Sequence, residues 1–259
     1  MPILLLTRPA PACRRFLDAL DPAAVAPAQV VIAPLLEIVP LAPAPGFSGI
    51  GRTGIGGVIF TSANGVAAAR ALDPAPGLPA WCVGAGTTAA AARAGWRAVQ
   101  MGDCAQELIA RLPAHLAARP GANRQDSPVS EPILHLAGRH RRGDVAGRLR
   151  AAGLDVRVVE IYDQRLCPLT AEARAALAGR APVVVPLFSP RSARQFADQH
   201  RGSAPLHLVA ISAAAAEPLK SLPFSDLTIC PAPTLAAMLT ATARALAAAS
   251  RLEGAPGAD

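Results

Sequence analysis

Lysine is almost missing from this chain: Lys220 is the only one, so the net charge of +7 rests nearly wholly on arginine. Aromatic residues are scarce as well, at 3% with a single tyrosine, Tyr162. A nucleic-acid reader of such basicity would need rings to stack bases and a continuous basic stripe. Neither is present, which argues against nucleic acid. What remains is a bias toward Ala, Gly, Pro and Arg, or a small polyanionic ligand held by scattered arginines and backbone donors. No window of about 18 residues is free of charge and proline, so no transmembrane helix is expected. The stretch 1–16 lacks a basic start before its apolar run and reads as a first strand, not as a secretory signal. The five cysteines (Cys13, Cys82, Cys104, Cys167, Cys230) show no CxxC and no histidine at ligand spacing. That argues against a disulfide framework and a metal site, and for reduced thiols in a cytoplasm.

What is present is an alternation of short apolar runs with helical patterns. Strands are expected at 3–6, 30–36, 58–60, 81–83, 133–137, 155–168, 182–187, 206–211 and 227–230. Each is followed by a turn and, in most cases, a helix. Pro9 suits a first helical turn, and Ser62 or Asn64, Thr170, Ser189 and Thr234 suit helix caps. Asp103 with Gln106 reads as a capping box. The closing helix is expected to end near Ala249, with a disordered tail over 251–259. Residues 119–131 read as a surface loop. The pattern predicts parallel sheets with helices on both faces.

The chain also echoes itself at 127–130 residues. Phe60-Thr61-Ser62 answers Leu187-Phe188-Ser189, Val83-Gly84-Ala85 answers Ile211-Ser212-Ala213, and Asp103-Cys104 answers Pro233-Thr234. Two lobes of one fold follow. The second lobe has only three strands after Cys167, too few for a stable sheet, so residues 1–33 are assigned to it. Domain 1 is then 1–33 plus 167–259. Domain 2 is 42–154, inserted between linker strands 34–41 and 155–166. Tyr162 lies on the second linker, where it is expected to look into a cleft between the lobes.

Every loop named follows a strand and precedes a helix, so each opens on the ligand-binding edge of its sheet. Helix N-termini there offer free N–H groups to anions. Arg8, Ser62, Asn64, Thr87, Gly138, Ser189, Ser192, Ser212 and Thr234 are the candidate binding residues. Gly84-Ala85-Gly86 is not a dinucleotide fingerprint, because Ala89 takes the third glycine's place. His135 and His140 flank a basic turn (139–144) and read as core or surface histidines. The turn itself is either solvated or in contact with an anion.

Taken in order, TRP (7–9), FTSANGV (60–66), VGAGT (83–87), the strand carrying Tyr162, FSPRSA (188–193) and APT (232–234) resemble the uroporphyrinogen-III synthase family over nearly the whole chain. The resemblance implies two flavodoxin-like parallel-sheet domains joined by a two-stranded β linker. It implies that hydroxymethylbilane, a linear tetrapyrrole, loses water and cyclises to uroporphyrinogen III with inversion of ring D, without cofactor or metal. It makes Tyr162 the catalytic candidate, assisting departure of hydroxide, and places Thr87 near the tetrapyrrole. A cytoplasmic monomer is implied, away from membrane and nucleic acid, with possible transient contact with hydroxymethylbilane synthase. Two departures stand out. Ser212-Ala213-Ala214-Ala215 replaces a Gly-Pro-Thr-Thr type of loop, and Phe188 replaces a threonine. A two-lobed solute-binding module and a regulator on the same fold are the alternatives.

Overall fold

A computed structural model describes residues 1–42, 54–74, 77–118, 131–141 and 143–254. The expected loop at 119–131 and most of the 42–57 connection lie outside them. The chain divides into two compact units, one of Met1–Glu37 with Arg165–Asp259 and one of Ile38–Gln164.

The first unit is built on strands β1 (Ile3–Leu6) and β2 (Gln29–Ile32) from the start of the chain. The second unit contributes β3 (Leu36–Pro40), β4 (Gly57–Phe60), β5 (Pro79–Cys82), β6 (Arg97–Gln100), β7 (Ile133–Gly138) and β8 (Val156–Leu166). Strands β9 (Val183–Leu187), β10 (Leu206–Ala210) and β11 (Asp226–Ile229) complete the first sheet. Its order is β11-β10-β9-β1-β2, parallel throughout. The second sheet runs β3-β8-β7-β4-β5-β6, with β8-β7-β4-β5-β6 parallel. Strand β3 is antiparallel to β8: Leu41 N–H donates to Ile161 O at 2.9 Å, and Cys167 N–H to Leu35 O at 3.0 Å.

Read across the sheets, β2-β1-β9-β10-β11 matches β8-β7-β4-β5-β6 strand for strand. In the first unit the β1–β2 pair precedes the other three strands, and in the second its counterpart, β7–β8, follows them. The units are circular permutations of one arrangement, and the first carries the flavodoxin order. The repeat seen in the sequence is the part that permutation leaves in register.

Both faces of each sheet are covered, which is why the strands are apolar runs without alternation. In the first unit Ile3, Leu5, Val183 and Val185 meet helices Ala171–Ala178 and Pro190–Gln199 on one side. Leu4, Leu6 and Val184 meet Ala10–Ala19 and Leu235–Gly254 on the other. In the second, Val58 and Phe60 face Ala63–Ala69 and Ala85–Arg93, while Ile59 and Trp81 face Ala105–Ala117 and Val145–Ala151.

Several details differ from the sequence reading. Strand β6 was not expected: its sequence, RAVQ, is polar at both ends because it is a half-exposed edge strand. Pro9 is the residue before the helix, and Pro11 lies in its first turn. The expected box at Asp103 does not form. Cys104 is the residue before the helix and has no side-chain cap, Asp103 Oδ1 accepts from Gln100 Nε2 at 2.7 Å, and only Glu107 reaches back, its Oε2 accepting from Asp103 N–H at 3.4 Å. The last helix continues to Gly254, five residues past the expected end, where the sequence Arg-Leu-Glu favours helix and Gly254 closes it.

His135 on β7 and His207 on β10 are buried with no hydrogen-bond partner at either ring nitrogen among the described residues. Burial, helped by the Arg141 charge and opposed by Asp144, pushes the His135 pKa down to about 4. An unfolded histidine titrates near 6.5. Below that value the unfolded chain takes up a proton that the folded chain refuses, so stability falls as pH drops from about 6.5 to about 4. His135 alone accounts for roughly 3 kcal/mol over that window. Urea unfolding is expected to show stability steady above pH 7 and steeply lost below pH 6, with a shallower slope in His135→Leu. Equal slopes in the two proteins would refute this account of His135.

Candidate functional site

In an open parallel sheet the ligand edge is most accessible where neighbouring strands send their crossovers in opposite directions. That switch point falls between β1 and β9 in the first unit and between β7 and β4 in the second. The candidate residues gather at these two places.

In the second unit the centre is Tyr162. Along β8 a regular strand would put it on the same face as Glu160. A bulge prevents this. Ala137 pairs with Glu160 and Gly138 with Tyr162, which leaves Ile161 as an extra residue. Tyr162 therefore joins Val159 and Ile161 in the core cluster and is 4% exposed. The same slip puts Glu160 and Asp163 together. Glu160 Oε1 holds Arg141 Nη1 at 2.8 Å, Glu160 Oε2 lies 3.6 Å from Arg139 Nε, and Asp163 meets Arg139 and His140 at 3.5 Å. The basic turn is thus folded back onto β8. Arg139 N–H also donates to Tyr162 O at 2.9 Å.

The phenol ring is seated on glycine. A Cβ on Gly138 would stand 2.6 Å from Tyr162 Cε2 and 2.7 Å from Cζ, and one on Gly65 would stand 3.7 Å from Cε1. The Tyr162 hydroxyl bonds to the side chains of Ser62 and Gln164 and to the Gly138 backbone. Burial drives its pKa upward, and those three hydrogen bonds oppose the rise without cancelling it. Near neutral pH Tyr162 is therefore a neutral, oriented donor. Ser62 also caps Ala63–Ala69 by accepting from Asn64 N–H at 3.1 Å. The Asn64 side chain has no partner among the described residues.

Thr87, in the first turn of Ala85–Arg93, is 8% exposed. Its neighbour Thr88 donates back to Gly84 O at 3.0 Å. Gly84 has φ +78°, which lets the chain turn from strand into helix there.

In the first unit Arg8 follows β1, and its guanidinium carbon sits 4.1 Å from the Phe188 ring centroid. It makes no ion pair with any carboxylate of the described residues. Across the switch point Ser189 caps Pro190–Gln199, accepting from Ser192 N–H at 3.1 Å, with the two hydroxyl oxygens 2.8 Å apart. Ser192 is buried and its O–H donates to Ser189 O, so its hydroxyl is turned inward. Ser212 and Thr234 cap the next two helices, accepting from Ala215 and Ala237 N–H.

The structure thus brings Ser62, Gly138 and Tyr162 together, adding Gly65 and Gln164, which the sequence reading missed. Gln164 carries a weak sequence signal, standing two residues beyond Tyr162 on the same face. Separately it brings Arg8, Phe188, Ser189 and Ser192 together. Within the second unit Thr87 follows β5, and within the first Ser212 and Thr234 follow β10 and β11. Among the described residues no cluster of His, Cys, Asp and Glu suits a metal ion, and no helix is long and apolar enough to cross a membrane.

A family model described as uroporphyrinogen-III synthase HemD matches residues 23–240. Among solved structures, uroporphyrinogen-III synthetase from Helicobacter pylori 26695 is similar with 17% identity and a TM-score of 0.59, over 93% of this chain and 97% of that one. A mutant uroporphyrinogen III synthase from the extremely thermophilic bacterium Thermus thermophilus is 13% identical with a TM-score of 0.48, over 96% and 100% of the two chains. No curated protein matches. At such identities the first structural likeness supports the fold, and the family rests on the sequence model.

Tyr162 is the single tyrosine, so alkaline titration followed by tyrosinate absorbance reads it alone. The expected pKa lies above the ordinary value of 10.0. It should rise further in Ser62→Ala, which removes a hydrogen bond that favours the phenolate. Gly138→Ala, which displaces the ring, should move it back toward the ordinary value. An ordinary pKa in the unsubstituted protein would show that the ring is not seated as described.

Proposed function

The chain belongs to the uroporphyrinogen-III synthase family, the cyclising lyases of tetrapyrrole biosynthesis, and we propose that Tyr162 and Arg8 are its principal working side chains. The family implies hydroxymethylbilane as substrate. Its terminal C–O bond breaks, hydroxide leaves and takes up a proton, and the resulting azafulvene is resonance-stabilised. The substituted α-carbon of ring D then bonds to that terminal carbon, and its bond to the bridge from ring C breaks. The bridge re-bonds to the free α-carbon of ring D, whose proton is released. Little acid strength is needed for such a departure. The harder task is to hold a flexible octacarboxylate in the conformation that closes at the right atom.

The observation that carries this reading is the Tyr162 seat. A phenol kept protonated by burial, with hydrogen-bond donors beside its oxygen that ease loss of the proton, can pass that proton to the departing hydroxide. Ser62 and Gln164 orient that hydroxyl, and Gly138 gives the ring room. Arg8, with no carboxylate partner among the described residues, serves as a ligand for a substrate carboxylate. Asn64 adds an amide that has no partner among the described residues. Ser189, Ser212 and Thr234 serve chiefly as caps that fix their loops, so that backbone N–H groups face the substrate. Ser192 acts one step back, by fixing Ser189. Thr87, being buried, shapes its loop more than it binds.

Five unpaired cysteines support a reducing compartment such as the cytoplasm. We infer a monomer that meets hydroxymethylbilane synthase transiently, because its substrate cyclises spontaneously when left free.

The protein is to be added to enzymatically generated hydroxymethylbilane, and the porphyrins separated by isomer after oxidation. Isomer III is expected; isomer I alone would overturn the assignment. In the same assay Tyr162→Phe should cut turnover by ~10- to 100-fold while isomer III remains the product. Unchanged turnover would remove Tyr162 from the mechanism.

A further inference from the structure

Phe188 is a large ring in a loop otherwise made of small and capping residues, at the carboxyl end of β9. It stands edge-on to Phe16, with centroids 5.0 Å apart and planes at 83°. Phe16 is 1% exposed, so the Phe188 ring is backed by the core. Against this ring lies Arg8, its guanidinium carbon 4.1 Å from the centroid. Arg8 arrives from β1, across the switch point. Its guanidinium has no carboxylate and no hydrogen-bond acceptor among the described residues, and burial works against its charge. A partly desolvated cation without an anion is costly, and the ring face is the compensation in view. A contact of this kind holds the guanidinium over the ring face while leaving its N–H groups unused.

We propose that Phe188 is a positioning residue for substrate binding: it holds the Arg8 guanidinium over its ring face and unpaired, ready to grip a tetrapyrrole carboxylate through two parallel N–H···O bonds. The proposal rests on the reading of Arg8 as a carboxylate ligand.

Steady-state kinetics on Arg8→Gln, Phe188→Leu, Phe188→Tyr and the Arg8→Gln/Phe188→Leu double variant separate the two claims. Arg8→Gln is expected to raise KM about tenfold. Phe188→Leu, which keeps apolar bulk but loses the ring face, should raise KM about fivefold with kcat nearly unchanged. Phe188→Tyr, which keeps the face, should retain the KM of the unsubstituted protein. The double variant should match Arg8→Gln alone, because the ring then has no guanidinium to hold. Equal effects of Leu and Tyr, or effects that multiply in the double variant, would reduce Phe188 to packing and overturn the proposal. An unchanged KM in Phe188→Leu beside a raised one in Arg8→Gln would overturn it while sparing Arg8. An unchanged KM in Arg8→Gln would remove the reading of Arg8 and this proposal together.

Discussion

A parallel strand cannot hand its chain straight to its neighbour. It must send it back through a crossover, so all the carboxyl ends of a parallel sheet collect on one edge. Most of what this chain does follows from that constraint. Within each unit the edge carries the helix starts and their caps. It is most open at the switch point, where crossovers leave in opposite directions. Arg8 and Phe188 occupy that point in the first unit; Ser62, Gly138 and Tyr162 occupy it in the second. The shared architecture supplies the position, and different side chains fill it in each unit.

The second unit adds a device with no counterpart described in the first. One extra residue, Ile161, turns Tyr162 into the apolar side of the sheet and sets Glu160 beside Asp163 on the other. The carboxylates draw Arg139, His140 and Arg141 back along β8. Exposed pairs of this kind contribute little energy each, about 0–1 kcal/mol. Their value is geometric, since the turn they restrain follows directly on Gly138, the residue on which the phenol ring rests.

Much of this was legible from residues alone. The apolar runs at 3–6, 183–187 and 206–210 are strands because both faces of their sheet are covered, and a run without alternation is what such burial selects. Ser62, Thr170, Ser189 and Thr234 read as caps from local sequence and are caps. Local signals failed where a neighbour decided the outcome. Strand β6 owes its place to pairing with β5 and has no apolar run of its own. The capping box read at Asp103 is lost because Gln100, from the end of β6, takes the Asp103 carboxylate. The bulge at Ile161 depends on β7, and the Arg8–Phe188 stack joins residues 180 positions apart, so neither leaves a mark in any short window.

The strand order also sets a timetable. The second unit is one continuous stretch, and every strand it pairs in parallel lies between residues 57 and 166. The first unit opens with β1, whose neighbour β9 begins at Val183. As the chain leaves the ribosome, Ile3–Leu6 has only β2 to pair with until most of the protein has been made. The inserted unit can close before then, because its contacts are nearer in sequence. The first unit then closes last, and the edge of Ile3–Leu6 that awaits β9 must stay out of non-native pairing until then.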